Sequence, residues 1–132
     1  MVRTAVHSEL VEIVELIVHS CRLSFANREV SKVGCFDVVT IDGSVDRSTV
    51  RDIVGDSVAL QGNYDPVELI ENGGIKTPET VRHTAKQLLQ ELGPQRLIAN
   101  LGEGLGGKES PELVKVFVDA IHEESAAMIA VV

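Results

Sequence analysis

Two stretches constrain this chain more than any other part of it. In each, an apolar run breaks into glycine and polar residues. The first is Ser57-Val-Ala-Leu-Gln61-Gly62-Asn63-Tyr64-Asp65-Pro66 and the second is Gly93-Pro94-Gln95-Arg96-Leu-Ile-Ala-Asn100-Leu-Gly102-Glu103-Gly104-Leu105. Each reads as a short buried strand whose C-terminal end opens into a polar, glycine-containing loop. Such strand ends are where parallel α/β proteins bind ligands.

The segments around them alternate between strand and helix patterns. Asp37–Asp42 reads as a strand ending in a carboxylate before Gly43. Asp46 is placed to cap a short helix carrying Val50, Ile53 and Val54, with Gly55 to stop it. Pro66–Glu71 suits a helical turn before Asn72-Gly73-Gly74. The clearest helix runs from Pro78 to Leu92, with Thr77 at the cap and Pro78 at its first position. Val81, Ala85, Leu88, Leu89 and Leu92 give it a continuous apolar stripe, and Gly93-Pro94 ends it.

Ser110-Pro111 opens a last helix by the same cap-then-proline chemistry. Its expected buried face is Leu113, Val114, Phe117, Val118 and Ile121, with an apolar tail from Ala126 to Val132. Nearer the N-terminus, Ala26, Val30 and Val33 fit a helix stopped by Gly34. Residues 12–18 fit either a strand or the end of a helix starting at Ser8. The count is three clear strand–helix units and one ambiguous one. This is an α/β pattern whose short apolar strands suit a parallel sheet covered by helices.

Composition narrows the function classes. The chain has 132 residues, 44% of them hydrophobic and 24% charged, with 3% aromatic residues and no Trp. It is read as one aliphatic-cored domain over 1–132. The formal net charge is −8. With no run of Lys or Arg, neither nucleic acid nor an anionic membrane is an expected partner. Cys21 and Cys35 form no CxxC pair and are read as reduced thiols in a cytoplasmic protein. Glu9, Glu12 and Glu15 break up the apolar stretch near the N-terminus, which makes it a poor signal peptide and too short to span a bilayer.

The two motifs also resemble the uroporphyrinogen decarboxylase family. Leu60-Gln61-Gly62-Asn63-Tyr64-Asp65-Pro66 is similar to the family's Leu-Gln-Gly-Asn-Leu-Asp-Pro, and Gly93 to Gly102 is similar to its last strand. Val118-Asp119-Ala120-Ile121-His122 resembles its final helix. The likeness runs over about 24–125, while residues 1–23 match poorly. It implies parallel βα units equivalent to the C-terminal half of a (β/α)8 TIM barrel. It also implies cofactor-free removal of carboxylate from the acetate arms of a porphyrinogen, as in haem biosynthesis. A complete barrel takes about 250 residues, so this chain is read as incomplete. An open half-barrel leaves sheet edges and interior side chains uncovered. It is expected to be a homo-oligomer, as the dimeric family suggests, or to pair with a missing half-barrel.

The resemblance names site residues and shows departures. Asp42, Asn63 and Asn100 lie at matching strand ends. Glu103 occupies the position of a family His that contributes to the substrate pocket. The family's Leu-Asp-Trp-Thr here reads Ile41-Asp42-Gly43-Ser44, without the Trp. No part of the chain matches the family's N-terminal Arg-containing substrate segment or the Asp that faces the pyrrole nitrogens. Catalytic residues are therefore unassigned. Arg82 and Arg96 are the nearest basic residues to the motifs, with Arg96 at the opposite end of its strand from Glu103.

Two further readings stand beside this one. In one the chain is a truncated remnant that acts as an interaction domain. In the other, His19, Cys21 and Glu103 form a zinc set, as in a related methyltransferase branch that uses His-x-Cys and a third Cys. A His, a Cys and a carboxylate are all acceptable zinc ligands, and a catalytic site keeps its fourth position open. The words around Gln61-Gly-Asn and Asn100-Leu-Gly resemble the decarboxylase branch, where no cofactor is used.

Overall fold

The computed structural model describes residues 2–5, 16–19, 38–41, 43 and 45–131, the first two stretches as backbone only. Three strand–helix units follow one another: β3 (Val38–Thr40) and α1 (Arg47–Val54), β4 (Ala59–Tyr64) and α2 (Pro78–Leu92), β5 (Leu97–Leu101) and α3 (Pro111–Ala130). A 3₁₀ turn, Pro66–Leu69, lies between β4 and α2. The sheet order is β3-β4-β5 and every pairing is parallel. Upstream, β1 (Val2–Ala5) pairs antiparallel with β2 (Leu16–His19).

Local chemistry explains the helix boundaries. Asp46 accepts a hydrogen bond from the Ser48 amide at 3.0 Å and caps α1. Asp65 does the same for the 3₁₀ turn, accepting from Val67 N at 2.9 Å. Thr77 and Thr80 form a reciprocal capping box at the start of α2. At the start of α3, Ser110 holds the cap position but makes no cap bond with its side chain. Its hydroxyl donates to Glu71 at 2.8 Å instead, and its amide donates to Leu69 O. The expected serine cap is thus a tether between the loop after β5 and the loop after β4.

All three helices bury their apolar stripes in one cluster, against one face of the sheet. Val39, Ile41, Leu60 and Tyr64 from the strands meet Val50 and Val54 of α1, Val81, Ala85, Leu88 and Leu92 of α2, and Leu113, Phe117 and Ala120 of α3. A sheet covered by helices on one face is the layering of a barrel wall; a doubly wound sheet carries helices on both faces. The α2 stripe is buried as its spacing predicts.

The α3 stripe packs as expected at Leu113, Val114, Phe117 and Ile121 and departs at one residue. Leu113, Phe117 and Ala120 form the buried line, and Val118 is 44% exposed. The contact with α2 is centred on the i, i+4, i+7 row through Phe117, which turns Val118 toward solvent. The stretch from Ala126 also differs from the expected tail, because α3 continues to Ala130. Ala126, Ala127 and Met128 are good helix formers, and no glycine or proline interrupts them.

The ambiguous stretch 12–18 supplies a strand at its end, Leu16–His19. That strand is hydrogen-bonded to β1 in an antiparallel pair and is not a fourth member of the parallel sheet. The expected helices around Ser8 and Ala26–Gly34 lie outside the described residues.

Arg51 ties the N-terminal ends of the strands to the helices. Its guanidinium donates to Leu92 O through Nε (3.1 Å) and Nη2 (2.9 Å), and to Gly55 O (3.2 Å) and Val58 O (2.9 Å) through Nη1. One half-buried side chain thus satisfies the last carbonyl of α2 and the turn between α1 and β4. Burial lowers its pKa, with nearby Arg96 adding to that effect and Asp56 opposing it. Arg51→Ala should cost about 2–3 kcal/mol in urea unfolding with an unchanged m-value, because buried carbonyls lose charged donors. Arg51→Lys should recover only part of that loss, since an ammonium cannot reproduce the planar fork.

Candidate functional site

The strands end together, and their register decides which side chains meet. Thr40 is opposite Gln61, which is opposite Ile98; Asn63 is opposite Asn100. Alternation places Thr40, Gln61, Asn63, Ile98 and Asn100 on the face away from the helices. Ile98 is 49% exposed and Asn100 is also exposed on that face, whereas Asn63 is 3% exposed. Asn63 Nδ2 donates to Val45 O at 3.5 Å and ties β4 to the stretch after β3. Asn100 Oδ1 accepts from the Leu101 amide at 2.8 Å. The Thr40 hydroxyl is buried on the same face and, among the described residues, has no hydrogen-bond partner.

The other face of β4 is locked by Tyr64. Its ring stacks on Phe117 with centroids 4.3 Å apart, and its hydroxyl lies 2.7 Å from Thr84 Oγ1. The Thr84 hydroxyl also lies 3.0 Å from Thr80 O and 3.1 Å from Val81 O, within donating distance of both. Burial pushes the Tyr64 pKa up to about 12, while the Thr84 hydrogen bond acts the other way. Tyr64 is therefore an anchor, and it fixes the adjacent Asn63 on the opposite face.

Glycine permits the close approach of the strand ends. Gly62 has φ +128°, and a Cβ there would lie 2.5 Å from Ile41 O. A Cβ on Gly102 would lie 3.0 Å from both N and Cα of Gly43. Gly102 N also donates to Tyr64 O at 2.8 Å. The two glycine-bearing motifs thus pack against each other and against the end of β3.

The expected site residues fall into three groups. Asn63 and Asn100 are brought together as register partners at the C-terminal ends of β4 and β5. Glu103 lies just beyond them, exposed in the loop after Gly102. Asp42 lies outside the described residues. Of the zinc set, Cys21 lies outside them too, and only the backbone of His19 is described, in β2. Among the described residues no three His, Cys, Asp or Glu side chains form a metal cluster. Asp65 keeps the backbone-capping role that its place before Pro66 suggests.

Among the described residues, most basic side chains sit elsewhere. Arg82 pairs with Glu123 and Lys86 with Glu124 between α2 and α3, and Arg47 pairs with Glu91. Arg96 lies before β5, at the opposite end from Glu103, and donates to Ser57 O at 3.3 Å. A cavity of about 420 Å³ lies at that opposite end, lined by Arg51, Asp56, Gly93, Pro94, Arg96 and Ile129, among others. It is far from the amide row. Thr40 and Gln61 were not picked out as site residues in the sequence. Counting back by two from Asn63 and across the register to β3 finds them.

The comparison with known proteins fits this arrangement. The family description "Uroporphyrinogen decarboxylase (URO-D)" matches residues 2–124. The chain belongs to the uroporphyrinogen decarboxylase family. It is 42% identical over 101 residues to the human uroporphyrinogen decarboxylase, covering 76% of this chain and 26% of the relative. The Salinibacter ruber enzyme is 40% identical over 93 residues, covering 70% and 25%. The Dictyostelium discoideum enzyme is 37% identical over 126 residues, covering 95% and 32%. The chain thus spans about a quarter to a third of these relatives. Its parallel βα units form part of the family's barrel. Among the described residues no helix is long and apolar enough to cross a membrane.

Gly62→Ala should destabilise the chain by about 2 kcal/mol or more, because the added methyl meets a strand carbonyl at a backbone angle side chains avoid. A guanidinium chloride melt checks this. Gly104→Ala, which meets nothing within 4 Å, is the control and should shift the midpoint little.

Proposed function

We propose that this chain supplies the C-terminal part of a uroporphyrinogen decarboxylase pocket, in a lyase that converts uroporphyrinogen III to coproporphyrinogen III in porphyrin biosynthesis. The observation that carries this reading is the amide row at the strand ends, in a chain that belongs to the family. A porphyrinogen offers pyrrole N–H donors and carboxylate acceptors. Carboxamides such as Asn63, Asn100 and Gln61 can accept from the former and donate to the latter. In this reading Asn63, Asn100, Glu103 and Asp42 face substrate.

The reading also sets what the chain lacks. A substrate with many carboxylates needs cations, and the reaction needs an acid/base group near the pyrrole. Most described Arg and Lys side chains are paired on helix surfaces or lie at the far end of the strands. A Glu at the position of the family His repels substrate carboxylates unless it is protonated or paired. Complementary charge then comes from another part of the barrel, in a longer protein or in a partner chain. We place the protein in the cytoplasm, as a single domain that self-associates or joins a missing half-barrel, and no organic cofactor is assigned.

Glu103 at the position of the family His favours a second reading, a non-catalytic interaction domain derived from the family. Turnover of uroporphyrinogen III by the purified chain combined with the remaining part of a family barrel, with products separated by carboxylate number, decides between them. The decarboxylase reading expects stepwise carboxylate loss and a changed rate in Glu103→His. Intact substrate beside folded protein favours the interaction domain. Sedimentation velocity should show a dimer or larger species; a monodisperse monomer with an intact sheet counts against self-association. Zinc analysis tests the remaining set, since stoichiometric metal lost in His19→Ala or Cys21→Ala would point to the methyltransferase branch.

A further inference from the structure

The loop that carries Glu103 is fixed at both ends. At its start Gly102 donates to Tyr64 O and packs on Gly43. At its finish Ser110 donates through its amide to Leu69 O and through its hydroxyl to Glu71. Between these anchors lies Glu103-Gly-Leu-Gly-Gly-Lys-Glu109, with little side-chain bulk and Leu105 58% exposed. Such a glycine-rich stretch has high conformational entropy and no apolar core to order it.

Its order comes from one carboxylate. Glu109 Oε1 accepts from Gly106 N at 3.0 Å, and Oε2 accepts from Gly107 N at 2.9 Å and Lys108 N at 3.1 Å. Gly107 has φ +88°, which turns successive amides toward the same point. Three amides of one loop thus converge on a carboxylate supplied by that loop. The amides of Gly106, of Glu109 itself and of Gly107 and Lys108 together hold the Glu109 carboxyl below the usual range, against an opposing effect of burial.

We infer that Glu109 is a positioning residue: its ionised carboxylate clamps the 103–109 loop and so sets where Glu103 stands over the strand ends. The clamp itself stands on the geometry; its bearing on catalysis rests on the decarboxylase reading. Charge-assisted bonds to three amides outweigh the entropy of a short glycine-rich loop, whereas a neutral carboxyl or amide loses most of that advantage. The carboxyl is shifted down in the folded chain, so the clamp is intact above the ordinary carboxylate range and weakens as pH falls through the lowered value. The other charged groups beside it are Lys108 and Glu112 along the chain, and Glu71 across the Ser110 tether.

Amide hydrogen exchange by NMR tests this directly on the whole chain. Glu109→Ala and Glu109→Gln should each speed exchange of the Gly106, Gly107 and Lys108 amides about tenfold or more, while the Leu88 and Leu89 amides of α2 stay protected. In the unsubstituted chain, protection at the same three amides should fall on acidification, and this pH dependence should vanish in Glu109→Gln. Unchanged loop exchange in both variants overturns the clamp, as does equal acceleration throughout α2. Where uroporphyrinogen turnover is measurable, Glu109→Gln should lower kcat/KM and alter its pH profile; turnover identical in rate and profile overturns the positioning role. Absence of turnover in the unsubstituted chain counts against the decarboxylase reading alone, and exchange then decides the clamp.

Discussion

A parallel sheet of three short strands depends on burying its apolar face, and here that burial is one-sided. The cluster around Leu60, Tyr64, Leu88 and Phe117 holds strands and helices together. Hydrophobic burial is the largest favourable contribution available to a chain with so few aromatic residues. Everything else follows from which face it uses. Among the described residues all three helices cover the same side, and the other side carries Thr40, Gln61, Asn63, Ile98 and Asn100. In a barrel wall that second side faces the interior, and its polar character suits a place where a ligand meets the strands.

The C-terminal ends are the most constrained part of this sheet. Gly62 and Gly102 bring backbone close to Ile41 and Gly43, leaving no room for a side chain. Tyr64 then pins β4 to α2 and α3 through a ring contact and a buried hydroxyl pair. Parity does the rest: with Tyr64 held on the helix side, Asn63 must point the other way. A buried anchor on one face of a strand can thus fix the side chain on the other face. The opposite ends of the strands are organised differently, by Arg51 reaching backbone carbonyls, and there the charges serve structure.

Much of this was legible in the sequence because it rests on local rules. The α2 stripe, the Asp46 and Thr77 caps and the three strand ends follow from spacing and capping chemistry alone. The departures arise where tertiary contacts decide. Ser110 has the sequence of a cap, but its hydroxyl has a better partner in Glu71, thirty-nine residues away. Val118 has the spacing of a core residue, but the α2–α3 contact is centred one residue round the helix. The strand near residues 16–19 was half legible, and its antiparallel pairing with β1 was not, because register between distant segments leaves no local signature. Glu109 has no local pattern that sets it apart from other charges before a helix. Only the folded loop shows three amides converging on it.

The proposed site has an asymmetry that bears on how a chain of this length could work. Amides at fixed strand ends give direction and shape without charge. In the proposed reading a porphyrinogen's carboxylates call for charge as well, and the exposed Glu103 carboxylate is a poor neighbour for them. The glycine-rich loop adds another anion, Glu109, but turns it inward onto its own amides and so satisfies it within the loop. That arrangement removes one source of repulsion from the strand ends and keeps the loop ordered. Glu103, by contrast, is an exposed carboxylate just beyond the amide row. A cationic surface brought against that face, from the rest of a barrel, would meet both the substrate's need and Glu103's.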